Sequence, residues 1–326
     1  MNKKLLLRHI VILTLGIAGI SFNVQKSSAF ELGPQNSDSK IHGCLTIRAS
    51  AGYRMDYLDW NIAGDQDGQN PNIISELEFD DIEIYQRGLE ANLLVNQIYS
   101  SGSIHFGNIK NGECTDSDYD EDNRTELWSR SKSEINNDDV FDMRAGLGYQ
   151  FPFFGGKLKI APLIGGSYHE QNLRLTAAVQ TEATHGRTPD VGPIPDLNST
   201  YETEWRSLWF GMDIGFQVLA RLFLSSSIEY HKADYEAKAD WNLRSDLQHP
   251  VSFTHEADAE GLVITIGINY SFAKHWDARL TYDRQRWSTG KGECRFVLAN
   301  GQTSTQRLNE VNWDSQSIDF SLSYAF

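Results

Sequence analysis

The chain has 326 residues, enough for two ordinary soluble domains or one large all-β domain. A formal net charge of −15 excludes general nucleic-acid binding, which needs a basic footprint. The negative mean hydropathy, with no apolar run of transmembrane-helix length after residue 29, excludes a helical membrane protein.

The N-terminus reads as a secretory signal over residues 1–29. Lys3, Lys4 and Arg8 form the basic flank, Val11 to Ile20 the apolar core, and Ser27-Ser28-Ala29 the small residues of a cleavage site. Its removal takes away Lys3, Lys4, Arg8 and Lys26 and no acid, leaving a net charge near −19. A short periplasmic segment over 30–43 is expected next, then one unit over 44–326. An exported chain of this size must either be soluble or cross a membrane as a closed sheet.

Period-two alternation dominates the rest. Phe141, Met143, Ala145, Leu147, Tyr149 and Phe151 interleave with Asp142, Arg144, Gly146, Gly148 and Gln150. Leu208 to Val218, Leu262 to Phe272 and Ile318 to Phe326 repeat the pattern. The second face carries Arg, Asp, Glu and Gly, as in Arg48, Arg54 and Asp56 opposite Ile47, Tyr53 and Met55. Aromatics gather at the ends of the apolar rows, at Tyr149–Phe151, Tyr270–Phe272 and Tyr324–Phe326, as expected where a barrel wall meets the lipid interface.

About ten strands are predicted: roughly 44–62, 75–95, 98–110, 137–151, 157–178, 201–218, 220–242, 258–273, 276–290 and 308–326, each to about ±4 residues. The connections alternate between tight turns and long polar loops at 63–74, 111–136, 179–200, 243–257 and 291–307. Short turns at one end and long loops at the other define an antiparallel transmembrane β-barrel of the bacterial outer membrane, with loops outward and both termini periplasmic. Phe326, with aromatics at alternate positions behind it, resembles the C-terminal strand that bacterial barrel-assembly machinery recognises.

Three cysteines, Cys44, Cys114 and Cys294, invite one disulfide plus a free thiol in an exported chain. Cys114 and Cys294 would pair only if their loops share a face; unpaired thiols are the equal alternative.

The stretch CTDSDYDEDNRTELWSRS, Cys114 to Ser131, concentrates six acidic residues. Asp116, Asp118 and Asp120 fit positions 1, 3 and 5 of an EF-hand, but Glu121 replaces the Gly of position 6 and Leu127 the Glu of position 12. A cation site bridging lipopolysaccharide phosphates and a solvated acidic rim both stay open. The nine His residues offer no zinc spacing, and no P-loop, G-x-S-x-G or dinucleotide fingerprint occurs. No cofactor or metal is expected.

Several stretches together resemble the omptins, ten-stranded outer-membrane aspartate proteases. Ser75-Glu76-Leu77-Glu78-Phe79 is similar to the family's S-x-L-D-W stretch. Thr115 to Ser129 is similar to its D-x-D-W stretch with a downstream Trp, through Asp116, Asp118, Tyr119 and Trp128. Gly166 to Ala177 and Leu208 to Glu236 resemble two later strands. The resemblance implies a ten-stranded barrel and a site built from an Asp-x-Asp pair on the second loop and an Asp-x-His pair beyond the seventh strand, together activating water. It puts Asp116 and Asp118 at the first pair and Asp240 at the Asp of the second. Asn242 stands where the His belongs, and Asn takes no proton at neutral pH. His249 is the nearest substitute, at the wrong spacing.

The functional expectation is therefore a surface barrel without proteolytic activity, serving adhesion, ligand binding or narrow-pore transport. An omptin-type endopeptidase with an altered site at Asp116, Asp118 and Asp240 or His249, and a small porin, are the alternatives. Expected partners are outer-membrane lipid, lipopolysaccharide and an extracellular protein or peptide. The lumen charges, Arg48, Arg54, Asp142, Arg144, Glu229 and Arg279 among them, are expected to plug a barrel this narrow as paired networks, since open aqueous channels need about sixteen strands.

Overall fold

The computed structural model describes residues 43–326; the expected signal and nearly all of the 30–43 segment lie outside them. The alternating stretches all become strands: β1 (Gly43–Ile62), β2 (Ser75–Val95), β3 (Ile98–Glu121), β4 (Thr125–Ile135), β5 (Asp139–Tyr149), β6 (Phe151–Phe153), β7 (Leu158–Ala183), β8 (Gly192–Pro193), β9 (Ser199–Leu219), β10 (Leu222–Asp240), β11 (Phe253–Ala273), β12 (Trp276–Thr289), β13 (Gly292–Val297) and β14 (Thr303–Ala325). Every pairing among them is antiparallel, and β14 pairs back onto β1, so the sheet closes. The pairs β4/β5 and β12/β13 each fill one position in the wall, β4 and β13 outward of β5 and β12. Ten positions result, the number expected. Closure leaves no edge whose N–H and C=O groups would face lipid unpaired.

The wall is apolar outside and polar inside. On β14, Ile318, Phe320 and Leu322 face out, while Ser317, Asp319, Ser321 and Ser323 are buried inside. Aromatic girdles mark two heights. Phe151, Phe216, Tyr270, Phe272, Trp276 and Phe326 ring the end with the short turns. Tyr53–Tyr85, Phe106–Phe141 and Phe210–Tyr230, with ring centroids 5.0–5.7 Å apart, ring the other.

The outward loops are shorter than expected: 291–307 holds β13 and the start of β14, and the largest difference is at the second loop. Residues 111–136 are not a loop: β3 continues to Glu121, turns through Asp122–Arg124, and returns as β4. Asn123 and Arg124 take positive φ to make that turn. The strands overshoot the apolar belt, so this hairpin stands in water on its outer side and carries charge on both faces, which hid its alternation. Cys114 and Cys294, placed in loops by sequence, are instead buried on strands as free thiols and form no disulfide.

The interior has two storeys. Beyond Asp56 the inner face turns apolar, and Leu58, Trp60, Leu77, Phe79, Tyr201, Trp205, Tyr235, Phe253, Trp287 and Trp313 join one buried cluster. Trp287 and Trp313 stack at 5.6 Å and Trp205 packs 5.8 Å from each. Burying each such ring is worth roughly 1.5–3 kcal/mol, so the layer is a core and not a lining. Toward the short turns the lumen is polar. There Arg54 donates to Asp56 and Asp142 at 2.5–2.7 Å, Asp142 meets His169 Nδ1 at 2.7 Å, and Ser167, Ser207 and His231 carry the chain on at 2.7–3.0 Å. Arg144 pairs with Glu229. Most of the lumen charges form paired networks, as expected; Arg279 comes no nearer to Glu90 than 4.0 Å.

Candidate functional site

The acidic stretch reaches the barrel mouth through a change of face. Between Asp80 and Ile84 on β2, and between Ile109 and Glu113 on β3, the register shifts twice, inserting one residue in each strand. An extra residue exchanges the two faces of everything beyond it. Phe106 therefore faces out, whereas Cys114 is buried in the apolar cluster beside its register partner Phe79. Asp116, opposite Leu77, and Asp118, opposite Ser75, follow Cys114 on that inner face.

Both carboxyls are half-buried. Burial pushes the Asp116 pKa well above the usual carboxylate range, and the charge of Asp118 adds to this. Asp118 is raised by burial too, though the hydroxyls of Ser75 and Ser129 and the charges of Arg244 and Arg187 pull it back. Two such groups share a proton more readily than they both ionise. Arg244 is the cation that both feel. It comes from the facing loop, 241–252, and is held by a bidentate pair with Asp246 at 2.8 and 2.9 Å.

That loop is pinned to the wall. Gln248 N donates to Val297 O at 2.8 Å, Ser252 N to Ala239 O at 2.7 Å, and Leu247 is buried against Leu298. The pinned loop returns His249 to the end of β10, where Nδ1 lies 2.5 Å from Asp240 Oδ1. Asn242, at the position where the omptin resemblance implies a His, is occupied otherwise. Its Oδ1 accepts from Asn198 N at 2.9 Å and Ser199 Oγ at 3.1 Å, and its Nδ2 donates to Asp196 O at 2.8 Å. It is a loop clamp.

The structure thus places Asp116 and Asp118 on one rim, and Asp240 with His249 on another, four wall positions away. The Asp240–His249 contact and Arg244 were missed by sequence reasoning, because each depends on how a loop folds. Asp120 is drawn off by a bidentate pair with Arg187, whose guanidinium lies 4.0 Å over Trp128. Asp122 accepts from Asn72 N at 2.7 Å. The alternating Asp residues are therefore strand and turn residues with separate partners, which disposes of the EF-hand. Among the described residues no His, Cys, Asp and Glu cluster is arranged to hold a metal ion. Chemically, an imidazole oriented through Nδ1 by a carboxylate presents Nε2 as a base, and a crowded carboxyl pair either holds a shared proton or attracts a cation.

Comparison with solved structures gives the crystal structure of the outer membrane protease OmpT from Escherichia coli, at a TM-score of 0.69 and 10% identity, covering 87% of this chain and 97% of that one. The translocator domain of autotransporter NalP from Neisseria meningitidis gives 0.35 at 11% identity, covering 86% and 88%. The outer membrane protein OprG from Pseudomonas aeruginosa gives 0.30 at 10% identity, covering 88% and 97%. At such identity the first likeness establishes an omptin-like barrel fold and nothing finer. Comparison with curated protein sequences gives no match. The family model described as Protochlamydia outer membrane protein matches residues 48–326, nearly the whole described chain. The chain is a bacterial outer-membrane β-barrel, and it belongs to the Protochlamydia outer membrane protein (Pom) family.

Proposed function

We propose that this barrel works at its mouth: it binds a cationic extracellular ligand, a Lys- or Arg-rich peptide segment, and holds its lumen closed. The observation that carries the reading is the crowding of Asp116 and Asp118 on the inner face of the rim. Burial and mutual repulsion leave them short of positive charge, and Arg244 from a loop is the main cation they feel. A cationic side chain entering the mouth relieves that repulsion as Arg244 does. The aromatic layer beneath supports a floor in place of a passage, since Trp205, Trp287 and Trp313 are each at most 2% exposed. The test is a titration of the refolded barrel with a Lys-rich peptide. Saturable binding, weakened by salt and by Asp116→Asn with Asp118→Asn, supports the reading; binding indifferent to both substitutions defeats it.

One observation favours a second reading, omptin-type peptide hydrolysis: His249 is oriented by Asp240 in the manner of a general base. In it, His249 takes a proton from water and the carboxyl pair positions that water. Cleavage of bound peptide, abolished by His249→Ala with binding retained, would select hydrolysis over binding alone.

A further inference from the structure

The short connections at the periplasmic end are sorted by charge. Residues 96–97, 150–157, 219–221 and 273–275 contain no Asp or Glu, in a chain whose formal net charge is −15. They carry Lys157, Arg221 and Lys274, all exposed. Lys157 and Arg221 stand on adjoining connections, since Lys157 O accepts from Gln217 N at 2.8 Å, just before the turn that holds Arg221. Among the described residues no carboxylate forms an ion pair with either side chain.

The same corner is strongly apolar on its outer face. Phe151 and Phe153 of β6 lie opposite Ile160 and Leu158 of β7, which lie opposite Ile214 and Phe216 of β9. Phe154 follows in the turn, 79% exposed, and Leu219 on the next connection is 64% exposed. Phe154 takes a φ of 51°, where Gly or Asn turns the chain at less cost, so the turn itself does not call for a phenylalanine. The register sets the depth of the two cations. Leu158, beside Lys157, pairs with the girdle residue Phe216, and Leu222, beside Arg221, pairs with the girdle residue Tyr270. At about 3.3 Å per strand residue both cations stand just beyond the girdle. That is within the headgroup layer, roughly 5–7 Å deep on each side of the hydrocarbon.

We propose that this corner of the periplasmic rim is a docking surface for anionic phospholipid of the inner leaflet. Lys157 and Arg221 donate to headgroup phosphate oxygens, which suit both an ammonium and a guanidinium. Phe153, Phe154 and Leu219 lie against the ester and upper acyl region, where aromatic side chains anchor a wall to the interface. The two cations set the preference. A headgroup of net negative charge is attracted by both, whereas a zwitterionic one brings its own ammonium against them. Phe151 and Phe153 continue the outward row of the girdle, so the occupant is lipid and not a periplasmic protein.

The experiment is native mass spectrometry of the full mature barrel in non-ionic detergent, with phosphatidylglycerol and phosphatidylcholine of the same acyl chains at equal concentration. We expect phosphatidylglycerol to be retained at least fivefold more than phosphatidylcholine. Lys157→Gln with Arg221→Gln should bring the two lipids level, while Lys157→Arg with Arg221→Lys should keep the preference. Phe153→Ser with Phe154→Asn should lower both lipids at least twofold and leave their ratio unchanged. Arg206→Gln with Lys232→Gln, which removes cations from the outer wall near the mouth, should leave phosphatidylglycerol retention as it was. Folding of each variant is checked by heat-dependent gel mobility. Equal retention of the two lipids by the unaltered barrel would overturn the proposal and leave the patch to a protein partner. So would a preference that survives in the folded Lys157→Gln, Arg221→Gln barrel, or one lost with Arg206 and Lys232. Should the Gln pair not fold, the unaltered barrel and the Arg206, Lys232 variant still decide it.

Discussion

His249 Nδ1 lies 2.5 Å from Asp240 Oδ1 although nine positions separate them. The contact exists because the 241–252 loop is tied to the wall at both ends and folds back across the tip of β10. It supplies an imidazole at the mouth by a route that strand periodicity does not encode. If the dyad acted as a base, peptide held by Asp116 and Asp118 would be cut. The binding reading predicts the opposite: a Lys-rich peptide incubated with the refolded barrel remains intact by mass spectrometry. Products that disappear in His249→Ala would replace binding with hydrolysis.

Acid should strengthen the fold locally while weakening the ligand site. Asp116 and Asp118 are raised by burial, so each binds its proton more tightly folded than unfolded. Below the unfolded value, about 3.9, both states are protonated and the pair costs nothing. As pH rises from there through the folded values, the unfolded state loses its protons first and stability falls. Asp116→Asn should therefore raise the urea midpoint at pH 7 and leave it unchanged near pH 3. An unaltered midpoint at pH 7 would show that the pair is not crowded in solution. Peptide binding should decline over the same window as pH is lowered.

The aromatic floor predicts silence in planar bilayers, with no stepwise conductance from the unaltered barrel. Trp205→Ala should cost about 3–5 kcal/mol of stability, as expected for truncating a buried indole with incomplete collapse. Paired with Trp313→Ala it should open a leak. Steps of conductance from the unaltered protein would mean that the floor moves.

Asn242 bonds three groups of the 196–199 segment. Asn242→Ala should cost about 0.5–1.5 kcal/mol, because it removes three hydrogen bonds but only Ser199 among the partners is buried. Asn242→His should lose the same clamp and confer no peptidase activity. Cleavage gained on that substitution would show that position 242 belongs to the reactive site.

The barrel was legible in the sequence because lipid makes alternation strict. β2 runs over Ser75–Val95, the bounds that its apolar rows suggested, and the closing strand ends on the expected Tyr324–Phe326 aromatics. Legibility fails above the belt. There the outer face meets water, so Glu113, Asp116, Lys132 and Glu134 stand on paired strands that read as loop. The paired insertions near Glu83 and Asn111 were also silent, since no residue type announces them, yet they decide which face Asp116 takes. Asp116, Asp118 and Asp240 were singled out through resemblance in order and spacing. Arg244 and the His249 contact were not, because a loop's return path leaves no period in sequence.

In the proposed function the crowded carboxyl pair at the mouth is a cation site which Arg244 partly fills. The most direct measurement is the affinity of one Lys-rich peptide for two variants that move the charge in opposite directions. Arg244→Gln should tighten binding several-fold, while Asp116→Asn with Asp118→Asn should weaken it at least tenfold, both effects fading at high salt. Equal affinities for the two variants would contradict it.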